Sequence, residues 1–274
     1  MEQKIKIQLE NFEIAQIHRS GQCFRMEDLG EGRFGILAAE KYLEICQHGQ
    51  ECEFYCSRED MEGFWKDYFD LQTDYGKFIR EIDEKDQYLA KAARLGQGIR
   101  ILHQDLWEMI VSFLISQQNN IPRIRRCIAN ICERYGERRQ NSQGRTYDTF
   151  PRPEALAKAR EEDLRDCNLG YRSRYIKKTA RMVMDGEISL EAVRNMKYPE
   201  AREELLKLYG VGEKVADCIC LFALHQMEAF PVDTHIRQAL EKHYPQGFPF
   251  DRYKDCSGVM QQYIFYYDLK GERI

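Results

Sequence analysis

The residues of this chain best suited to do chemistry stand in one stretch, Leu205 to His235 (LLKLYGVGEKVADCICLFALHQMEAFPVDTH). Lys214 follows two glycines, Gly210 and Gly212, and Asp233 ends the run Pro231-Val232-Asp233. A lysine amine attacks an electrophilic carbon only when uncharged, and a reference pKa of ~10.4 keeps it protonated at neutral pH. Burial beside apolar groups and the positive end of a helix both favour the neutral form. Such an amine can go on to a Schiff base, while a nearby carboxylate steadies positive charge in the transition state. Taken singly, the two residues read more plainly: Lys214 as surface, and Asp233 as a cap for a helix beginning near Thr234 or His235.

The surroundings weigh against the plain reading. Leu205, Leu206 and Leu208 make a short apolar helix that Tyr209-Gly210-Val211-Gly212 stops, both glycines turning the backbone with positive φ, and a second helix starts at Glu213. In a helix-hairpin-helix of this kind the hairpin amides and the positive helix end face one spot, a seat for an anion such as a DNA phosphate. Lys214 lies in the first turn of the second helix, with Cys218 one turn further along the same face.

At 274 residues, 43% hydrophobic and 31% charged, the chain is long enough for one large or two modest globular domains. No apolar run approaches the ~18 residues of a membrane helix, and MEQKIKIQLE is no secretory signal, so a cytoplasmic protein, nucleoid-associated if bacterial, is expected. The ten cysteines lack framework spacing and any CxxC pair, which points to reduced thiols rather than disulfides or zinc. No metal-ligand constellation stands out, and no cofactor is expected. The net charge of −4 is unevenly placed: residues 1–95 hold 13 Lys+Arg against 20 Asp+Glu, the remainder 28 against 25. The second part is therefore the one better suited to face a polyanion.

The chain reads as α+β, an antiparallel sheet domain with helices over 1–95 and a mostly helical domain with the hairpin over 96–274. Ile5, Ile7 and Leu9 alternate with polar residues, and Phe34–Leu37, Tyr42–Cys46 and Cys52–Cys56 are short β-compatible runs. From Ser57, with Asp60 in a capping-box-like start, Met61, Phe64, Trp65, Tyr68 and Phe69 recur at helical spacing and are expected to cover the sheet. From about Gly96 the pattern is helical to the end. Leu106 to Ile115 is apolar nearly all round; the polar run Ser116-Gln117-Gln118-Asn119-Asn120 ends that helix; Ile121, Ile124, Ile128, Ile131 and Tyr135 line the next, closed by Gly136. Residues 137–153 read as a surface loop, with Pro153 starting a helix. Arg123, Arg125 and Arg126, and the later Tyr171-Arg172-Ser173-Arg174-Tyr175, read as solvated charge or as a nucleic-acid edge.

The hairpin, its lysine and the Val-Asp pair resemble the helix-hairpin-helix DNA glycosylases, and GVGEKVADCICL…PVDTH resembles their 8-oxoguanine branch. SGQ at 20–22, SQQNNIPRI at 116–124, GYRSRY at 170–175 and the Gln261/Phe265 pair extend the likeness over nearly the whole chain. The resemblance implies a monomeric bifunctional glycosylase/AP lyase, without metal or cofactor, that flips 8-oxoguanine out of double-stranded DNA. It makes Lys214 the nucleophile and Asp233 the carboxylate. The Gly21 carbonyl would accept a bond from N7–H, which 8-oxoguanine has and guanine lacks. Cys218 and Phe265 would sandwich the base and Gln261 read its Watson-Crick edge. Gln118, Asn119 and Asn120, with Arg123, Tyr171 and Arg172, would fill the duplex gap and read the orphaned cytosine, while Gly210, Gly212 and His235 would hold phosphates. Gln118 stands where the family typically carries asparagine, and Tyr209 replaces a common proline. An alkylated-base glycosylase would need only Asp233, and a non-catalytic lesion binder neither residue; the intact pair argues against both. The iron-sulfur cluster of some relatives resembling endonuclease III needs four cysteines beyond the aspartate, and only Cys256 lies there.

Overall fold

The computed structural model describes residues 4–141 and 144–271. Strands β1 (Lys4–Gln8), β2 (Met26–Gly30), β3 (Arg33–Ala38), β4 (Lys41–His48) and β5 (Glu51–Tyr55) form one sheet in the order β1-β5-β4-β3-β2, with antiparallel pairing of β1 to β5, β5 to β4 and β3 to β2. Three of the expected strand runs become β3, β4 and β5; helix α1 (Ile14–Arg19), before β2, was not anticipated. Ser57 accepts from the Asp60 amide at 3.0 Å and starts the helical segment that follows. Met61–Trp65 is wound as a π-helix. Trp65, Tyr68 and Phe69 are buried, and Phe69 meets Phe12 and Phe54 edge-on at 5.6 and 5.9 Å. Edge-to-face pairs of this kind add about 0.5–1.5 kcal/mol each beyond the area they bury.

The packing does not divide at residue 95. Contacts group the chain into two compact units: one takes the described residues up to Ile36, Leu43–His103 and those from His225 onward; the other takes Leu37–Tyr42 and the described part of Gln104–Leu224. In the first unit, helix α2 (Gln87–Leu95) packs against the long C-terminal helix, which is labelled α10 below (Ser257–Gly271). Tyr88 donates to Asp268 at 2.8 Å and Tyr244 to Asp86 at 2.9 Å, bonds spanning more than 150 residues of sequence. Helical periodicity identifies such elements but carries no information about which neighbour each one covers.

The second unit is helical. Helix α3 (Leu106–Ser116) is buried from Leu106 to Ile115 and packs against α4 (Ile121–Tyr135). The expected loop 137–153 instead contains a small antiparallel hairpin, β6 (Arg138–Gln140) with β7 (Thr146–Asp148); its residues 142 and 143 lie outside the described residues. Arg138 and Asp148 pair across it, and the Tyr147 hydroxyl donates to the Glu40 carbonyl at 2.9 Å. Pro153 does begin a helix, α5 (Pro153–Lys158). Helices α6 (Arg172–Met184), α7 (Tyr198–Leu206) and α8 (Glu213–Phe222) follow, α6 and α8 both packing on α3 and α7 packing on α8. Helix α9 (Thr234–His243) returns to the first unit. Among the described residues no helix is long and apolar enough to cross a membrane, and all ten cysteines are free thiols.

Candidate active site

The residues singled out above fall in both units. In the helical unit the hairpin forms between α7 and α8, with one positive-φ glycine rather than the expected two. Gly210 has φ +90°, and a Cβ there would stand 2.6 Å from ring atoms of Tyr175, so both conformation and space demand glycine. Gly212 is extended (φ −102°, ψ 178°) and is the N-cap of α8. With no side chain to offer, it leaves the first-turn amides of α8 uncapped, as an anion seat requires. Lys214 is half-buried in that turn, its Nζ 5.4 Å from the centroid of the buried Phe113 ring of α3. Cys218, one turn on, is buried.

Helix α8 is fixed against α7 through Asp217, which accepts from Tyr198 Oη at 2.9 Å and Arg202 Nε at 2.7 Å. Burial pushes the Asp217 carboxyl above its ordinary range, against the pull of those two partners. Because Asp217 lies three residues beyond Lys214, this clamp sets the rotation of the helix that presents the amine.

The polar run after α3 is a turn whose side chains have separate duties. Asn119 bonds back to the Ile115 carbonyl at 3.0 Å, and Asn120 caps α4 by accepting from the Arg123 amide at 3.0 Å. Gln118 is exposed in a left-handed conformation (φ +48°), an uncommon place for a non-glycine residue. Arg123 is exposed. Tyr171 is 46% exposed, whereas Arg172 is only 3% exposed, its guanidinium bonded to the carbonyls of Gln117 and Gln118. In this conformation Arg172 braces the turn rather than reaching outward. Tyr171, Tyr175 and Tyr209 stack edge-on at 5.5 Å, with Lys178 Nζ 4.0 Å from the centroid of the Tyr209 ring. The tyrosine in the place of the usual proline thus belongs to an aromatic and basic ladder.

In the other unit, Gly21 takes φ +77°, and a Cβ there would stand 3.1 Å from Phe265 Cε1. Its neighbours aim it. Gln22, wholly buried, donates to Ser20 Oγ and the Arg100 carbonyl and accepts from the Leu102 amide, all at 2.9 Å. Asp233 caps α9, Oδ1 accepting from the Ile236 amide at 2.9 Å, and Oδ2 has no hydrogen-bond partner among the described residues. The cap reading therefore describes one carboxylate oxygen and leaves the other available. Gln261, on α10, donates to the Pro231 carbonyl at 3.0 Å, two residues before Asp233, and accepts from Gln262. Ser257 and Gly258 bond the carbonyls of Glu228 and Met227, so α10 guides the whole approach to Asp233. His235 is exposed, its ring edge-on to Phe265 at 6.5 Å.

Within this unit, then, Gly21, His235 and Phe265 come together, and Gln261 holds the segment leading to Asp233. Gln22, Asp217 and Gln117, which donates to the Gly210 carbonyl at 3.0 Å, support the site and were missed. Each is a polar residue inside a recognisable motif, but its partner lies elsewhere in the chain. Asp70, His103 and His225, none of them singled out in the sequence, also come together in the sheet-bearing unit.

Residues 4–110 match the family description 8-oxoguanine DNA glycosylase, N-terminal domain, and residues 111–247 match HhH-GPD superfamily base excision DNA repair protein. The chain is 32% identical over 267 residues to an N-glycosylase/DNA lyase of Saccharomyces cerevisiae, covering 88% of this chain and 70% of that protein. It is 30% identical to a probable N-glycosylase/DNA lyase of Methanothermobacter thermautotrophicus, covering 84% and 78%. The Clostridium acetobutylicum 8-oxoguanine glycosylase/lyase, solved with double-stranded DNA containing cytosine opposite 8-oxoguanine, is similar with a TM-score of 0.91 and 36% identity over 99% of this chain and 98% of that one. The chain belongs to the 8-oxoguanine DNA glycosylase family of the HhH-GPD superfamily.

Proposed function

We propose that this protein is a bifunctional DNA glycosylase/AP lyase that excises 8-oxoguanine opposite cytosine from duplex DNA. The observation that carries the reading is Lys214 itself, half-buried against Phe113 in the uncapped first turn of α8 and one turn before a buried Cys218. The names of the yeast and clostridial relatives support it.

The lesion leaves the base stack at a cost of a few kcal/mol, offset by pocket contacts and by the side chains that fill the gap. The Gly21 carbonyl accepts from N7–H, Gln261 meets the Watson-Crick edge, and Phe265 and Cys218 cover the faces of the base. As the N-glycosidic bond breaks, its electron pair leaves with the base, which is protonated, and the Asp233 carboxylate stabilises the positive charge left on the sugar. The Lys214 amine forms the new bond to C1′ and loses a proton. The sugar opens to a Schiff base; loss of a proton from C2′ then expels the 3′ phosphate by β-elimination, and water finally releases the lysine. The uncapped hairpin amides and His235 hold backbone phosphates.

Borohydride reduces the imine to a stable amine, so the protein is expected to be trapped covalently on duplex DNA containing 8-oxoguanine. Lys214→Gln binds that duplex but is not trapped, with strand cleavage lowered at least ~1,000-fold. Asp233→Asn in the same assay is trapped slowly although it folds normally, because asparagine caps a helix about as well as aspartate does. Full strand cleavage by Lys214→Gln refutes the assignment of the nucleophile.

A further inference from the structure

Three residues far apart in sequence meet in the sheet-bearing unit. Asp70 follows the aromatic helix in a left-handed turn (φ +48°), His103 precedes α3, and His225 follows α8, also left-handed (φ +53°). One potential ligand atom from each lies within 4.8 Å of the others. His225 Nε2 stands 3.2 Å from Asp70 Oδ2. Two ligand atoms each about 2.0–2.1 Å from a tetrahedral zinc ion stand ~3.3 Å apart, so this pair already has the spacing of a shared metal. The His103 ring lies over the His225 ring, centroids 3.5 Å apart and planes 16° apart, and its nitrogens have no hydrogen-bond partner among the described residues. An imidazole bonds a metal in its own plane, so one ion takes both rings only once the half-buried His103 ring turns off the stack, and no hydrogen bond to its nitrogens opposes that turn.

We propose that Asp70, His103 and His225 bind a late first-row divalent cation, zinc above all, with water completing the coordination. Two imidazoles and one carboxylate, without thiolate, make a three-ligand set typical of an open zinc site, whereas calcium and magnesium prefer all-oxygen sets. The hydroxyls of Thr73 and Tyr75 donate to Asp70 Oδ1 at 2.7 Å and Oδ2 at 2.9 Å, the outer contacts that orient a metal-binding carboxylate. The proton that His225 Nε2 now shares with Asp70 and with the Ile101 carbonyl, also 3.2 Å away, moves to Nδ1 when the cation takes its place. No redox change is involved. The cation would tie the turn at Asp70 to the chain on either side of the helical unit's long segment, which leaves at His103 and returns at His225.

Calorimetric titration of the metal-free full-length protein with Zn²⁺ and with Co²⁺ tests this. One ion per chain is expected, together with a rise of a few degrees in the thermal midpoint under excess zinc. The cobalt spectrum should show nitrogen and oxygen ligands without a thiolate charge-transfer band, which separates this site from the ten cysteines. His103→Phe keeps a ring on His225 but removes a ligand, and should weaken binding at least ~100-fold, since outer partners alone are worth ~10–100-fold. If Asp70→Asn fails to fold, His225→Asn, which tolerates the left-handed backbone, provides the second variant. Absence of stoichiometric uptake, a thiolate band, or wild-type affinity in His103→Phe overturns the proposal.

Discussion

The unit carrying Lys214 and the unit carrying Gly21, Asp233, Gln261 and Phe265 hold their functional groups in different ways. Around Lys214 the glycine turn, the uncapped helix start and Cys218 all lie between Gly210 and Cys218, set by local backbone geometry. The other set is gathered from three separate stretches, near residues 21, 232 and 263, and held by long-range bonds: Gln22 to Arg100 and Leu102, and Gln261 to Pro231. A short segment thus specifies the proposed nucleophile, while tertiary packing specifies the arrangement of the residues proposed to recognise the base. Damage to the first should abolish chemistry on every substrate; damage to the second should alter which substrate is chosen.

Gly21→Ala is the strongest way to break that comparison. Alanine at φ +77° costs about 1–2 kcal/mol in backbone strain, and its Cβ would press on Phe265 from 3.1 Å, tighter than ordinary contact. Excision of 8-oxoguanine should fall ~10-fold or more, since each ~1.4 kcal/mol is tenfold in rate. Strand cleavage at a preformed abasic site, which needs Lys214 but no base, should stay within about twofold. An equal fall in both rates would mean that the two regions are not separable.

Arg172 and Arg123 sharpen the contrast inside the helical unit. Arg172 braces the carbonyls of Gln117 and Gln118, whereas Arg123 is exposed at the start of α4. Arg172→Met should therefore lower stability by about 1–3 kcal/mol through carbonyls left unbonded and reduce excision opposite all four bases alike. Arg123→Ala should leave the thermal midpoint unchanged and narrow the preference for cytosine. Excision measured opposite each base decides the matter; a lost preference in Arg172→Met without loss of stability would give the reading role back to Arg172.

The same contrast governs what could be read from the sequence. The hairpin, the all-apolar α3, the Ser57 cap and the helix start at Pro153 were legible because each is a local pattern with a local cause. Helix α1 was not: at six residues it has fewer than two turns in which to repeat a pattern. Strands β6 and β7 have three residues each, too few to show a period. Gly212 was expected at positive φ because two glycines flank the turn, yet Gly210 alone makes the turn and Gly212 serves by lacking a side chain. The return of residues 225–271 to the sheet-bearing unit, the grip of Gln22, and the meeting of Asp70 with His103 and His225 depend on partners dozens of positions away. Periodicity has no means of recording them.

The smallest expected effect concerns pH, and it asks whether the sheet-bearing unit depends on His103 when no metal is bound. Burial and the adjacent His225 lower the His103 pKa below its ordinary value of 6.5, against the opposing pull of Asp67 and Asp70. The unfolded chain therefore binds a proton there more readily than the folded one. The stability this histidine contributes is present above the unfolded value of 6.5 and is lost as the pH falls through that value toward the lower folded one. Phenylalanine at 103 keeps the stacking and removes the titration. Between about pH 7.5 and about pH 5.5, with chelator present, the thermal midpoint of the parent should fall more than that of His103→Phe, by about 2 °C. Parallel curves would show that the ring is as easily protonated in the folded chain as in the unfolded one, and that the Asp67 and Asp70 carboxylates, rather than burial, set its charge.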